Sequence, residues 1–354
     1  MPVNTSRTTY REHTDTENIL KLRQVLSTLP AFCKDYFRAI DSTTTTKTRI
    51  SYAYDIRIFF QFLLDENPAF KNYTMTDVSV EILDQIKAVD LEEYMEYLKV
   101  YQNGDKTETN GERGLKRKIS ALRSFYAYYY KREMIHTNPT VLIDVPKIHD
   151  KSIIRLDTDE VALLLDYIEH CGDSLTGQKR VYYEKTKERD LAIVTLLLGT
   201  GIRVSECVGL DIEDVDFKNN GIKVTRKGGN EMVVYFGEEV EKALKRYLEI
   251  REGITPLAGH EHALFYSAQR KRMGVQAVEN MVKKYSRQIT TTKKITPHKL
   301  RSTYGTALYQ ETGDIYLVAD VLGHKDVNTT KKHYAALDDA RRRQAATAVR
   351  LRED

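Results

Sequence analysis

The sequence predicts a mainly α protein with two domains: an all-α N-terminal domain, then a mostly α C-terminal domain with a small antiparallel sheet. The length of 354 residues exceeds the roughly 250 to 300 residues at which one hydrophobic core usually divides in two. Apolar residues recur every three to four positions along most of the chain, which is the spacing of amphipathic helices. Two short β-type runs flank a Gly228-Gly229 pair, and this pattern predicts a hairpin.

The N-terminal domain is predicted over residues 19–147, after a polar tail, residues 1–18, whose composition favours disorder. The polar, glycine-containing segment 102–114 predicts a loop. Apolar periodicity predicts helices over residues 19–29, 48–64, 91–101 and 115–132. The last of these helices combines an apolar stripe with many cations, so it should have one buried face and one strongly basic face.

The C-terminal domain is predicted over residues 155–354, after a linker at residues 148–154 that follows two proline-containing pairs. Strands are predicted over residues 221–224 and 232–236, and residues 172–183 predict a mobile loop. Helices are predicted over residues 157–169, 189–198, 238–250, 275–289, 299–312 and 315–322. The second half is therefore mostly helical around one hairpin.

Composition narrows the class of protein further. The longest apolar run, residues 191–198, is far short of the roughly 20 residues that cross a bilayer. The polar first residues contain no signal-peptide core, so a cytoplasmic location is expected. Three widely spaced cysteines predict reduced, buried thiols and favour neither disulfides nor a zinc site.

Basic residues are clustered, although the net charge is only +4. The clusters lie at residues 111–132, 270–272, 283–287 and 341–343. A solvated helix face explains any one of them, whereas together they favour a polyanion of the size of DNA as the partner. The candidate DNA contacts are Arg57, Arg113, Lys116, Arg117, Lys118, Arg123, Arg270, Lys271 and Arg272.

The candidate chemistry lies in a few short stretches: GTGIRVSE, VTRKGGNE, TPHKLRSTYGT and LGHKDVNTTKKHY. Taken singly, each has an ordinary explanation, such as an ion pair three residues apart, an exposed hairpin lysine or polar residues at a helix start. The residues that could react or bind are Arg203, Glu206, Lys227, His298, Arg301, His324 and Tyr334.

Together these residue types meet the requirements of displacement at a phosphodiester. Two guanidinium groups and an imidazole can bind the charged non-bridging oxygens without a metal. Tyr334 can act as a nucleophile that conserves bond energy in a phosphotyrosine, and Lys227 can act as the acid for the leaving alkoxide. The sequence has neither a GxxxxGK(S/T) motif nor a carboxylate cluster for magnesium, which disfavours an ATP-driven or metal-driven nuclease.

In order and spacing these positions resemble the active-site set of the tyrosine recombinases, or phage-integrase family. The stretches KTRISYAYDIRIFFQFL and RGLKRKISALRSFYAYYYKRE resemble the core-binding domain of that family. The resemblance implies a tyrosine recombinase fold, in which a core-binding domain and a catalytic domain clamp duplex DNA carrying a specific recombination site. It also implies a homotetramer on paired sites, strand exchange through a 3′-phosphotyrosine and a Holliday junction, and no metal, ATP or other cofactor.

The resemblance also assigns roles. Tyr334 would be the nucleophile, Lys227 would protonate the leaving oxygen, and Glu206 would orient the arginines. The groups that hold the phosphate would be Arg203, His298, Arg301 and His324. Two neighbours depart from the family pattern: Ser302 stands where a second histidine is frequent, and His333 is less usual before the nucleophile. The competing tyrosines lie among apolar neighbours in helical stretches; they are Tyr304, Tyr309 and Tyr316.

Several alternatives stay open at the level of the sequence. No arm-binding domain precedes residue 19, so the chain is more similar to Xer-type or transposon recombinases than to a large phage integrase. Its role could be chromosome segregation or mobile-element integration, with or without an accessory protein. A type IB topoisomerase and a non-catalytic DNA-binding regulatory protein are the rival functions. Residues 338–354 predict an amphipathic tail helix, which either docks on a neighbouring protomer or packs on its own domain.

Overall fold

The computed structural model describes residues 9–149, 153–226 and 229–324, together with residues 326, 327 and 330. Contacts divide the chain into two compact units, Met1–Asp150 and Lys151–Asp354. Lys227, Tyr334 and the predicted tail helix lie outside the described residues. The predicted class, mainly α with a small antiparallel sheet, is confirmed. Within the described part of the chain, no helix is long and apolar enough to span a bilayer.

The N-terminal unit consists of helices and one two-stranded hairpin. Its elements are α1 (Tyr10–Leu26), α2 (Cys33–Ala39), α3 (Thr46–Glu66), α4 (Ile82–Gln85), α5 (Ala88–Tyr97), β1 (Val100–Asn103), β2 (Lys106–Thr109) and α6 (Glu112–Tyr130). The largest of the buried side chains are aromatic, and the rings of α6 meet those of α2 edge to face, with the Tyr36 and Phe125 centroids 5.2 Å apart. The Tyr36 hydroxyl donates to Ser124 at 2.9 Å, so this ring is both packed and satisfied in its hydrogen bonding.

The first helix corrects the prediction of disorder for residues 10–18, because α1 begins at Tyr10, while residues 1–8 lie outside the described part of the chain. A capping box starts it: the Thr9 hydroxyl accepts from the Glu12 amide at 3.3 Å, and the Glu12 carboxylate accepts from the Thr9 amide at 2.7 Å. One turn further on, Asp15 accepts a hydrogen bond from Thr46 at 2.6 Å. Polar contacts with α3 therefore order a segment whose composition alone favoured disorder.

A second correction concerns residues 102–114, which were predicted to be a loop. They include most of an antiparallel hairpin in which β1 pairs with β2, from Val100 opposite Thr109 to Asn103 opposite Lys106. Gly104 takes the left-handed backbone at the turn, with φ of 61°. Glycine at the first of the two central positions, here Gly104 before Asp105, is a usual signal for such a turn, and the short exposed strands around it lack the apolar alternation that predicts a strand.

The C-terminal unit surrounds one long helix with shorter helices and a three-stranded sheet. Its elements are α7 (Thr158–His170), α8 (Gly177–Thr200), α9 (Val204–Gly209), β3 (Val215–Asp216), β4 (Gly221–Thr225), β5 (Glu231–Tyr235), α10 (Glu238–Glu252), α11 (Val275–Ile289), α12 (Pro297–Thr312) and α13 (Ile315–Leu322). The sheet is antiparallel with β4 in the middle. The predicted hairpin is thus observed, and β3 adds a strand that was not predicted.

Helix α8 is the central element of this unit and packs against α7, α10 and α12. It begins at Gly177, within residues 172–183 that were predicted to be a mobile loop. The buried Tyr183 donates its hydroxyl to the Glu169 carbonyl at 2.6 Å, which fixes the first turns of α8 to the end of α7. At its other end α8 stops at Thr200, because Gly201 adopts the left-handed backbone with φ of 62°.

The three cysteines are buried and free, as predicted. Burial raises the pKa of the Cys207 thiol to about 12. The thiol of Cys171 shows a shift in the same direction, also caused mainly by burial. These side chains therefore behave as small apolar groups in the two units.

Candidate active site

The C-terminal end of α13 is the centre of the candidate site. A helix end leaves its last carbonyl groups without partners inside the helix. Here Gly323 takes the left-handed backbone with φ of 59°, and its amide donates to the Asp320 carbonyl at 2.7 Å. The next amide, of His324, donates to the Ala319 carbonyl at 2.9 Å. The carbonyls of residues 321–323 are consequently available to donors from other elements.

Arg301 joins this helix end to the glycine turn after α8. It lies in the second turn of α12 and is almost fully buried. Its Nη1 donates to the Gly201 carbonyl at 2.5 Å, and its Nη2 donates to the Leu322 carbonyl. Gly201 is needed there for a second reason, since a Cβ on it would come within 2.3 Å of the Tyr304 ring. The close approach of three segments therefore fixes the guanidinium of Arg301.

Arg203 reaches the same helix end from the start of α9. Its Nη2 donates to the Gly323 carbonyl at 3.3 Å. Its Nη1 donates to Oε1 of Glu206 at 2.7 Å, and its amide donates to Oε2 of the same carboxylate at 2.8 Å. The Glu206 side chain is only 3% exposed. The ion pair expected from the spacing of Arg203 and Glu206 is therefore present. The same bonds are those that the orienting role implied by the resemblance would require.

The two histidines lie on different elements. His324 follows the glycine at the end of α13, and its Nδ1 lies 2.7 Å from the Thr330 hydroxyl. His298 is exposed near the start of α12, one turn before Arg301. Ser302, which stands where the family often has a histidine, donates its hydroxyl to the His298 carbonyl at 3.1 Å. Ser302 therefore contributes to the helix backbone and adds no imidazole.

Arg226 is a residue of this site that the sequence analysis missed. It follows β4 directly and is 8% exposed. Its Nη2 donates to the Val321 carbonyl at 2.7 Å. The alternation of β4 provides a signal for it, because Ile222 and Val224 are buried and residue 226 continues that period of two. In this segment the sequence analysis predicted a function only for the neighbouring Lys227.

Three arginines therefore donate to three successive carbonyls: Arg226 to Val321, Arg301 to Leu322 and Arg203 to Gly323. Cations are favoured at this end of a helix by its dipole. Burial lowers the pKa of Arg226, whereas Glu206 acts in the opposite direction. In the part of the site that the structure describes, three guanidinium groups thus gather at one helix end, and Arg203 among them is paired with the buried Glu206 carboxylate. Such an excess of positive charge suits an anion, and planar guanidinium groups match phosphate in geometry.

Two of the three competing tyrosines are poorly suited to act as nucleophiles. Burial raises the pKa of Tyr304, and Tyr309 is buried. Tyr316 is exposed on α13, so burial does not disfavour it. The roles predicted for Tyr334 and Lys227 stay predictions, since both residues lie outside the described part of the chain. No group of three His, Cys, Asp or Glu side chains among the described residues could hold a metal ion, and the predicted absence of a cofactor stays a prediction.

Three of the predicted DNA contacts have side chains that bind protein groups in the structure, and their role in DNA binding stays a prediction. Lys118 is 5% exposed, with its Nζ 3.1 Å from Oδ1 of the buried Asp55. Arg123 donates to two carbonyls that follow α6, at 3.0 and 2.8 Å. Arg272 donates to the Leu210 carbonyl at 2.8 Å and pairs with Asp211. Their positive charge was visible in the sequence, but their acceptors come from distant segments.

The remaining predicted contacts present basic groups at the surface. Arg117 donates to Asp55 while about half of its side chain stays exposed. Arg57 is half-buried, with its guanidinium carbon 5.0 Å from the centre of the Tyr54 ring. The exposed cations are Arg113, Lys116, Arg270 and Lys271. Their role in DNA binding stays a prediction.

The fold agrees with comparisons to known proteins. Residues 155–341 match the model of the Phage integrase family. The chain is 32% identical over 331 residues to tyrosine recombinase XerC of Caldanaerobacter subterraneus subsp. tengcongensis, across 90% of this chain and 86% of the relative. It is 30% identical over 340 residues to tyrosine recombinase XerS of Lactococcus lactis subsp. cremoris, across 89% of this chain and 93% of the relative.

The chain therefore belongs to the phage integrase family and is a site-specific tyrosine recombinase. Solved structures share its fold. The post-cleavage complex of the recombinase XerH with palindromic difH substrate superposes with a TM-score of 0.65 and 20% identity, across 97% of this chain and 90% of the other. The Tn1549 transposon integrase in complex with circular intermediate DNA gives a TM-score of 0.63 and 23% identity, across 88% and 98% of the two chains.

Proposed function

We propose that this enzyme exchanges strands between two duplex DNA sites through a 3′-phosphotyrosine and a Holliday junction, without a metal ion or ATP. The observation that carries the proposal is the convergence of Arg203, Arg301 and the His324 turn at the end of α13. The XerH and Tn1549 structures contain DNA, and we extend that partner to this chain. The exposed cations of α6 and of residues 270–271 supply groups for its phosphates.

In the first step, the Tyr334 hydroxyl gives up its proton to water, its oxygen bonds to phosphorus, and the bond from phosphorus to the 5′-oxygen breaks. Lys227 gives a proton to that oxygen as it leaves. The negative charge on the non-bridging oxygens is stabilised by Arg203, Arg301, His298 and His324. The free 5′-hydroxyl then attacks the phosphotyrosine of the partner duplex, and the tyrosine leaves. The number of phosphodiester bonds is conserved, so no external energy source is required.

The assembly belongs to the same proposal. Strand exchange between two duplexes needs four active sites, which a homotetramer on paired sites provides. The tail predicted over residues 338–354 would dock on the neighbouring protomer. We place this reaction in the cytoplasm, where the DNA substrate is accessible.

The nucleophile is tested by trapping the covalent intermediate. Sheared host DNA is incubated with the protein, denatured in detergent, and the DNA joined to protein is sequenced to define the site. Tyr334→Phe should bind a duplex containing that site and form no adduct, because it lacks the attacking oxygen. The matched control, Tyr316→Phe, removes an exposed hydroxyl and should form the adduct at the normal rate. Adduct formation by Tyr334→Phe would place the nucleophile elsewhere.

The proton donor is tested with a substrate that carries sulfur at the bridging 5′ position. A thiol has a pKa of about 8.5, far below that of an alcohol, so it leaves without a proton. Lys227→Ala should therefore cleave the sulfur substrate almost as fast as the unaltered enzyme, and the oxygen substrate slowly. Arg203→Ala should gain no such relief, because its task concerns the non-bridging oxygens. If sulfur fails to rescue Lys227→Ala, another group donates the proton, with His324 the next candidate.

A further inference from the structure

Arg226 begins the turn that leads into the Lys227 segment. Its amide donates to the Asn230 carbonyl at 2.7 Å, and its carbonyl accepts from the Gly229 amide at 2.9 Å. These two bonds close the hairpin between β4 and β5, after the last strand pair of Thr225 with Glu231. The backbone of Arg226 is therefore held in place by hydrogen bonds at the base of the turn.

The side chain of Arg226 connects the base of this turn to the end of α13. Its Nη2 donates to the Val321 carbonyl at 2.7 Å. Its other terminal nitrogen packs against Gly323 so closely that a Cβ on this glycine would lie 2.0 Å from Nη1. The left-handed backbone of Gly323, with φ of 59°, also favours glycine. The helix end is thus shaped around the guanidinium group.

This contact is costly for the fold. The Nε and Nη1 atoms of Arg226 are buried and have no hydrogen-bond acceptor among the described residues. Burying donors without acceptors opposes folding, and a buried positive charge adds to that penalty. A methionine or leucine would fill the same space without it. A buried group of this kind calls for a role other than stability.

We propose that Arg226 is a positioning residue for the cleavage step, which holds the hairpin that carries Lys227 against the helix end that binds Arg203 and Arg301. This inference rests on the proposed function, because it needs a proton donor in the hairpin. It explains why three arginines bind three successive carbonyls: two of them face the phosphate and the third fixes the segment that supplies the proton. Arg226 itself does not touch the substrate.

The oxygen and sulfur substrates separate this role from a general loss of structure. Arg226→Met keeps the volume of the buried stem and removes the bond to Val321. We expect it to cleave the oxygen substrate about a hundredfold more slowly, the scale of the effect of a misplaced catalytic group. It should cleave the sulfur substrate within about threefold of the unaltered enzyme, since that leaving group needs no proton. The double variant Arg226→Met/Lys227→Ala should be no slower on oxygen than Lys227→Ala alone.

Two controls accompany the measurement. Lys223→Met removes a cation from the exposed side of the same strand and should cleave both substrates normally. Arg226→Lys keeps the cation and most of the stem, and it replaces the methionine variant if that variant melts at a lower temperature. Thermal melting and binding to a half-site are recorded for each protein, because an unfolded protein cleaves neither substrate.

The outcomes are distinct from those of the proposed function. A folded Arg226 variant that is equally slow on both substrates, or normal on oxygen, overturns the inference. If the sulfur substrate restores cleavage by Lys227→Ala but not by Arg226→Met, Lys227 remains the proposed proton donor and the positioning role of Arg226 is rejected. If the sulfur substrate restores cleavage by Arg226→Met alone, the positioning role is kept and another group in the hairpin region donates the proton.

Discussion

Glu206 fixes Arg203 by two hydrogen bonds, one to its side chain and one to its amide. The carboxylate is buried, so solvent screens this pair weakly. The same group caps α9 and orients a guanidinium. A substitution of Glu206 therefore changes both the orientation of the Arg203 guanidinium group and the charge of its partner, while Arg203 itself is kept.

We expect Glu206→Gln to slow cleavage by about thirtyfold. An amide keeps the shape but replaces one acceptor by a donor, and a hydrogen bond to a charged group contributes ~1.5–3 kcal/mol. A loss of about 2 kcal/mol in the transition state corresponds to roughly that factor. The rate of adduct formation is measured at saturating enzyme. Glu213→Gln, at an exposed pair with His262, is the control, and equal rates for the two variants would contradict the orienting role.

The residues of the site were predictable where chemistry alone selects them. Arg203 with Glu206, and His298 with Arg301, stand at spacings that place them one helical turn apart, and the structure puts both arginines at one helix end. Arg226 was not found, because its burial depends on the register of β4 and on a carbonyl almost a hundred residues away in the chain. The protein groups that bind Lys118, Arg123 and Arg272 were not predicted for the same reason, since long-range acceptors cannot be read from charge.

Helix α6 presents its cations on a face opposite its aromatic core residues. Arg113 and Lys116 are exposed and one turn apart, whereas Lys118 is buried against Asp55. Substitution of Lys118 would leave a buried carboxylate with less compensation, which is strongly destabilising. The exposed pair is thus the better probe of DNA binding by this helix.

We expect the Arg113→Ala/Lys116→Ala variant to lower the salt dependence of DNA binding. Each phosphate contact contributes about 0.9 to the slope of log K against log salt, so the slope should fall by about 2. Fluorescence anisotropy with specific and non-specific duplexes measures it, and both should weaken alike. Lys242→Ala/Lys245→Ala, in which each lysine is paired with a glutamate on α10, is the control. An unchanged slope in the first variant would place this face of α6 away from DNA.

Elements were predicted best where periodicity and caps agree. Helices α11 and α13 have the predicted bounds, because apolar spacing and end signals coincide at both ends. The start of α8 was missed because Tyr183 packs on α7 through a contact that sequence periodicity does not contain. The β1 and β2 hairpin was missed because its strands are exposed and lack alternation.

The division of the chain into two compact units has a consequence for how the protein unfolds. Among the described residues, the buried side chains of the N-terminal core lie between Leu22 and Ile143. A hydrophobic core that closes within one segment allows that segment to fold by itself. The two units should therefore behave as separate cooperative systems.

A fragment of residues 1–150 should unfold in one cooperative thermal transition, with the aromatic near-ultraviolet circular dichroism of a packed core. A fragment ending at residue 130 is the control. It lacks the core residues Ile135 and Ile143, and also the carbonyls that accept from Arg123, so it should melt at a lower temperature. A broad transition without near-ultraviolet signal in the longer fragment would show that the unit depends on the rest of the chain.

The row of carbonyls at the end of α13 also determines how the catalytic site can fail. Because Arg203, Arg226 and Arg301 bind adjacent carbonyls of one backbone segment, a displacement of that segment changes the environment of all three at once. Because the three guanidinium groups bind one backbone segment, the free-energy effects of substitutions at them should be non-additive. A shift of the end of α13 would therefore displace Arg203 and Arg301 together, without either residue being replaced.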